Sequence, residues 1–136
     1  FLGFVSSEEL SRLYNECDVY VLPAIHDDTG DTEGLGVVLI EALMYRCPVV
    51  ASKSGGIVVV IKDGETGLLV PEKDENYLKE AIVKLLKNPD YASMLANQGF
   101  EHVRNNFDWE RITDKLENTF YNALNQNNHS KATVEK

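Results

Sequence analysis

Thr32-Glu33-Gly34-Leu35-Gly36-Val37-Val38-Leu39-Ile40-Glu41-Ala42-Leu43 opens on a glycine-bracketed turn and runs on as helix-forming sequence. Gly34 and Gly36 lack side chains where backbone would approach a ligand. From Gly36 onward, Val37, Ile40 and Met44 give apolar spacing of helical period. A helix start behind such a turn presents N–H groups with no intrahelical partner, a natural seat for phosphate. Carboxylates flank that seat: Glu33 precedes the turn, and Glu41 lies five residues beyond Gly36. At the helical rise this places Glu41 about 7.5 Å along the axis, roughly the offset between a diphosphate and the ribose of one nucleotide. The stretch therefore reads as a nucleotide-sugar cradle.

Working outward, Ser6 and Glu9 stand at capping-box spacing and open a helix with Leu10, Leu13 and Tyr14 on one face. Phe1–Val5 reads as the end of a strand. Asp18–Pro23 reads as a short buried strand ended by proline, and Cys47–Ala51 as the next strand. Asp63–Gly67 is a turn, followed by a strand at Leu68–Val70 closed by Pro71. Leu78, Ala81, Ile82, Leu85 and Leu86 form a helical stripe that ends at Asn88-Pro89, and another helix runs from about Tyr91 past Gln98. Asp108 caps a last helix whose stripe is Trp109, Ile112, Leu116, Phe120 and Ala123. Short apolar strands alternating with helices argue for an α/β fold, with a Rossmann-like parallel sheet flanked by helices. The tail from Asn125 is polar and expected to be disordered.

The chain has 136 residues and 43% hydrophobic content, enough for one domain with a core. Its net charge of −9 argues against nucleic acid and against an anionic membrane surface as direct partners. No apolar run reaches membrane-spanning length. Cys17 and Cys47 lie thirty residues apart without metal spacing, so free thiols are expected. Asp27, Asp28 and Asp31 cluster beside His26, but the spacing lacks the glycine and terminal glutamate of a calcium loop; a solvated loop is the expectation, and no metal. His102 and His129 are expected on the surface. No residue stands out as an activated nucleophile.

The Glu-x7-Glu pair Glu33/Glu41, set within "DTEGLGVVLIEAL" and followed in order by "PVVAS", "GGI" and "DGETGLLVP", resembles the retaining family 4 glycosyltransferases of the GT-B fold. The resemblance runs from "FLGFV" to the helix at Trp109. It implies that residues 1–124 are the C-terminal, donor-binding half of such an enzyme, truncated at its N-terminus, with 125–136 as the tail. The acceptor-binding domain, and the basic residues that neutralise the donor diphosphate, would then lie upstream of Phe1. The implied activity is transfer of a hexose from a nucleotide-diphosphate sugar to a saccharide or lipid-linked acceptor, with no metal or other cofactor required. By the same resemblance Glu33, the catalytic position, contacts hydroxyls of the transferred sugar. Backbone of Gly34, Leu35, Gly36 and Val37 approaches sugar and diphosphate, and Glu41 holds the ribose. Val5 matches a position near the base, and Gly55-Gly56 either touches the donor or only turns the chain. A cytoplasmic location is implied, with any membrane association coming through the missing part.

Departures from the family pattern are Val58-Val59, where a proline and an acidic residue usually follow the glycine pair, and Arg46, where a glycine usually ends the Glu41 helix. For Gly55–Ile61, period and β-branching favour a strand while the resemblance favours a glycine turn and a short helix; the helix is adopted. The rival readings are a non-catalytic nucleotide-binding module of Rossmann type and a structural fragment with a degenerate pocket. A dehydrogenase is disfavoured because no G-x-G-x-x-G opens a helix after the first strand.

Overall fold

A computed structural model describes residues 1–132, with side chains through Leu124. Its elements are α1 (Ser7–Glu16), β1 (Tyr20–Leu22), α2 (Val37–Met44), β2 (Val49–Ser52), α3 (Ile57–Val60), β3 (Leu68–Val70), α4 (Glu75–Lys87), α5 (Pro89–Asn106) and α6 (Trp109–Ala132). The strands form one parallel sheet in the order β1-β2-β3, with Tyr20 opposite Val49 and Val50 opposite Leu68. The expected α/β architecture is therefore present, with helices alternating with parallel strands. Two compact units are distinguished, Phe1–Arg104 and a second beginning at Asn105.

Side-chain caps account for three helix starts, those of α1, α4 and α6. Ser6 Oγ accepts from the Glu9 amide at 3.2 Å, as its spacing predicts, while the Glu9 carboxylate pairs with Arg12 instead of closing the box. Asp74 caps α4 through the amides of Asn76 and Tyr77, and Asp108 caps α6 through those of Glu110 and Arg111. The core lies around β2, every residue of which is buried. Side chains alternate along a strand, so Val50 faces α4 and α5 through Ala81, Leu85, Ala92 and Leu95, while Val49 and Ala51 turn to the other face. α2 packs against β2 and α3, and its Leu39 and Leu43 are fully buried. Each such leucine contributes about 1.5–3 kcal/mol of burial.

Several expectations need correction. Phe1–Val5 forms no strand: no described strand lies beside it to complete a ladder, Gly3 turns the chain at φ 70°, and Phe1, Leu2 and Phe4 are exposed. β1 is half-buried rather than buried, because it lies at the edge of the sheet. Cys17 and Cys47 are joined as a disulfide, Cα atoms 6.7 Å apart, instead of being free. The cause is parallel register: Cys17 leads into β1 and Cys47 into β2, and pairing Tyr20 with Val49 sets the two approaches side by side. α6 extends to Ala132. Residues 133–136 lie outside the described residues. The glycine turn and short helix adopted for Gly55–Ile61 are present as a helix at Ile57–Val60, whose Ile57 and Val60 enter the core while Val58 and Val59 are exposed.

Candidate functional site

The carboxyl ends of three parallel strands meet one loop system, the usual place for a ligand in an open α/β sheet. The Ala24–Thr32 loop leaves β1, Ser54-Gly55-Gly56 leaves β2, and Pro71-Glu72 leaves β3. Gly36 is the N-cap of α2, in the left-handed region at φ 75°, and a Cβ there would meet Leu39 Cδ1 at 2.9 Å. The left-handed backbone thus favours glycine, and a Cβ would also press on the Leu39 side chain. Gly34 has open space where its side chain would be.

The Glu33–Gly34 backbone lies directly on the glycine pair. Cβ atoms built on Gly55 and Gly56 would collide with the carbonyl oxygens of Glu33 and Gly34 respectively. Gly56 also donates its amide to Glu33 O at 3.3 Å, and Thr32 Oγ1 meets the buried Ser54 Oγ at 2.6 Å. Gly55-Gly56 therefore seats the Glu33 turn, a tertiary role beyond turning its own chain. The Glu33 carboxylate is half-buried and accepts from the Gly36 amide at 3.2 Å. In the first turn of α2, the Val37 and Val38 amides have no carbonyl four residues back within the helix.

Glu41 is exposed on α2, and its Oε2 accepts from the Tyr14 hydroxyl at 3.0 Å. Tyr14 is buried. Burial first, then the bond to Glu41, push its phenol well above the ordinary value of 10.0. Tyr20, on β1, is also raised, chiefly by burial, and the negative charges of both Glu41 and Glu33 add to the shift. The two carboxylates thus act on a common neighbour, and an amide-rich helix start lies between them. Val5 is half-buried just before the Ser6 cap.

His26 and the acidic loop divide their work. Asp27 Oδ1 accepts from Thr29 N, Thr29 Oγ1 and Asp31 N, and these bonds, the Thr29 hydroxyl foremost, hold its carboxyl below the usual range. Among the described residues no group of three or more His, Cys, Asp or Glu is placed to hold a metal ion. His26 turns to Glu72 instead, with Nδ1 2.7 Å from Oε1 and its amide donating to Oε2 at 2.9 Å. Ser54 Oγ also lies 3.3 Å from Nδ1. The His26 amide, then Ser54, hold the Glu72 carboxyl below its ordinary value. His102 is half-buried rather than on the surface, and burial foremost lowers its pKa. His129 falls beyond the residues whose side chains are described.

Sequence reasoning missed Tyr14, Ser54 and Glu72. Tyr14 was visible as an apolar-face residue of α1, but nothing local ties it to a carboxylate 27 positions on. Glu72 stands 46 residues from His26, and only the side-by-side strand ends join them.

The family model for glycosyl transferases group 1 matches residues 1–102. The chain is 32% identical over 117 residues to a GDP-mannose-dependent alpha-(1-6)-phosphatidylinositol monomannoside mannosyltransferase of Mycobacterium tuberculosis, a match covering 85% of this chain and 30% of that protein. It is 33% identical over 123 residues to a D-inositol 3-phosphate glycosyltransferase of Corynebacterium diphtheriae, covering 90% of this chain and 27% of the relative. The chain thus spans about 30% of the length of the curated relatives it matches. Among solved structures, the sucrose-phosphate synthase of Thermosynechococcus elongatus superposes with a TM-score of 0.76 at 33% identity, over 93% of this chain and 30% of that one. Anabaena Alr3699/HepE, solved in complex with UDP and glucose, gives a TM-score of 0.73 at 25% identity, over 90% of this chain and 31% of its own. With the family match extending over residues 1–102, the chain belongs to the glycosyl transferases group 1 family.

Proposed function

We propose that this chain is the donor-binding part of a retaining glycosyltransferase of family 4. It would transfer a hexose from a nucleotide-diphosphate sugar to a saccharide or lipid-linked acceptor held by a domain outside residues 1–136. One observation carries the reading: the amide-bearing start of α2, behind the Glu33–Gly36 turn, is flanked by two held carboxylates, Glu33 on the Gly36 amide and Glu41 one turn into the helix on the Tyr14 hydroxyl. The helix start supplies N–H groups and positive dipole for diphosphate. Glu41 accepts from ribose hydroxyls, and Glu33 from hydroxyls of the sugar. A similar protein solved with UDP and glucose supports a nucleotide donor of this kind. The bond from the anomeric carbon to the diphosphate breaks as the bond to the acceptor oxygen forms, and the acceptor proton passes to the leaving diphosphate oxygen. This chain's part is to position the donor and stabilise charge, so the reading assigns no metal.

A second reading has its own support. The Glu33 carboxylate on the Gly36 amide acts as a cap of α2, a role it could fill in a nucleotide-binding module that transfers nothing. One titration separates the two. UDP and UDP-glucose are added to the chain and to its Glu33→Ala and Glu41→Ala variants, followed by amide NMR. Amides of Gly34 to Val37 and Glu41 should shift, and Glu41→Ala should weaken both ligands by about 1–3 kcal/mol. Glu33→Ala should weaken UDP-glucose more than UDP. Equal losses for the two ligands would favour the capping role, and shifts confined to Asp27–Asp31 would sink the donor site.

A further inference from the structure

We infer that Tyr14 is a positioning residue for the donor nucleotide: it fixes one oxygen of the Glu41 carboxylate so that the other is presented to the ribose. The inference rests on the donor-site reading above and adds a residue to it.

Glu41 stands exposed on α2, where an unrestrained glutamate would sample several rotamers. Its Oε2 instead accepts from the Tyr14 hydroxyl at 3.0 Å, across a sequence gap of 27 residues. Tyr14 is 6% exposed, and four contacts hold α1 and its ring in place. Its ring stacks on Tyr45 at 5.3 Å and 14°, and lies 5.6 Å from Tyr20. The Tyr45 hydroxyl meets Ser11 Oγ at 2.8 Å, one turn back on α1. Cys17, the C-cap of α1, is bridged to Cys47. The donor of this bond therefore sits on a helix tied to the sheet, not on a mobile side chain.

The geometry divides the carboxylate. A phenol hydroxyl has one proton to give, and Tyr14 gives it to Oε2. An ionised carboxylate has about four acceptor positions, so Oε1 keeps its capacity for a vicinal diol. Burial favours the protonated phenol, and that form alone can donate. Pre-ordering Glu41 removes rotamer freedom that would otherwise be lost when the nucleotide binds. Tyr14 then raises affinity without touching the ligand, and only through the ribose hydroxyls.

Binding of UDP and of 2′,3′-dideoxyuridine diphosphate, which lacks both hydroxyls, tests this by NMR titration to millimolar ligand. The proteins are the unsubstituted chain, Tyr14→Phe, Glu41→Ala and Tyr77→Phe. Tyr14→Phe keeps the stacked ring and removes only the hydroxyl. Its affinity for UDP should fall about three- to tenfold, with affinity for the dideoxy analogue unchanged. Tyr77→Phe removes an exposed hydroxyl on α4, away from Tyr14 and Glu41, and should keep the full preference for UDP. Equal losses for both ligands in Tyr14→Phe would reduce Tyr14 to a packing residue and overturn the inference. If Glu41→Ala abolishes the preference for UDP while Tyr14→Phe retains it, the ribose reading stands and the inference fails alone. If the unsubstituted chain binds both ligands with no preference, the ribose role of Glu41 fails and this inference falls with it.

Discussion

Gly56 has no room for a side chain, because the Gly34 carbonyl lies where its Cβ would be. The obstacle is backbone, which yields only by moving the whole Glu33–Leu35 turn. Gly56 has an ordinary negative φ of −77°, so an alanine would suffer no conformational strain there and the collision acts alone. Gly56→Ala should break the amide bond to Glu33 O, displace the turn, and weaken UDP binding at least about tenfold with a stability loss of about 1–3 kcal/mol. Amide NMR shifts at Gly34 to Gly36, read beside urea unfolding, check this. A variant with wild-type shifts and affinity would remove Gly56 from the seat of the turn.

α2 ends in a way its sequence makes costly. Arg46 stands where a glycine is expected, and it adopts φ 54°. The ending is a Schellman motif: Arg46 N donates to Leu43 O at 2.9 Å and Cys47 N to Ala42 O at 3.0 Å. A left-handed non-glycine residue costs about 1–2 kcal/mol. Part of this is offset by the guanidinium, which lies 3.7 Å from the centroid of the Phe100 ring of α5. Truncation to alanine removes the offset and keeps the strain, whereas glycine removes both. Arg46→Gly should therefore be more stable than Arg46→Ala by about 1 kcal/mol in urea unfolding. Equal stabilities would show that the helix end relaxes out of the left-handed region. The motif has held without glycine, so Arg46 gives no support to a degenerate pocket.

Across the first unit, α1, β1 and α2 share an acid cluster, the buried Tyr14 and half-buried Tyr20 beside Glu41 and Glu33. Folded, both phenols hold their protons above the ordinary value of 10.0. Unfolded, they release them near about pH 10. The native state thus binds more protons than the unfolded state in alkaline solution, and its stability falls as pH rises. Below about pH 9 both states are protonated and the contribution is fully present. The urea midpoint should drop between about pH 9 and pH 11, and Tyr14→Phe should flatten part of that drop. An identical slope in the variant would place the alkaline sensitivity elsewhere.

Much of this protein is written locally. Ser6, Asp74 and Asp108 start helices because a short side chain reaches an amide two or three residues away. The apolar stripe of α4 and the strand at Val49–Ser52 follow from periodicity, and the Glu33–Glu41 string with its following motifs was legible enough to point to the family. These features depend on neighbours within a turn or two, so composition and spacing carry them. Other features depend on which residues the parallel register brings abreast. The segment at Phe1–Val5 has strand composition, yet a strand exists only where a second backbone completes its hydrogen bonds, and none does among the described residues. The Cys17–Cys47 bridge, the His26–Glu72 pair and the Tyr14–Glu41 bond join residues 30, 46 and 27 positions apart. No local pattern marks such partners. The sheet decides them, because pairing β1 with β2 and β2 with β3 fixes what stands at each strand end.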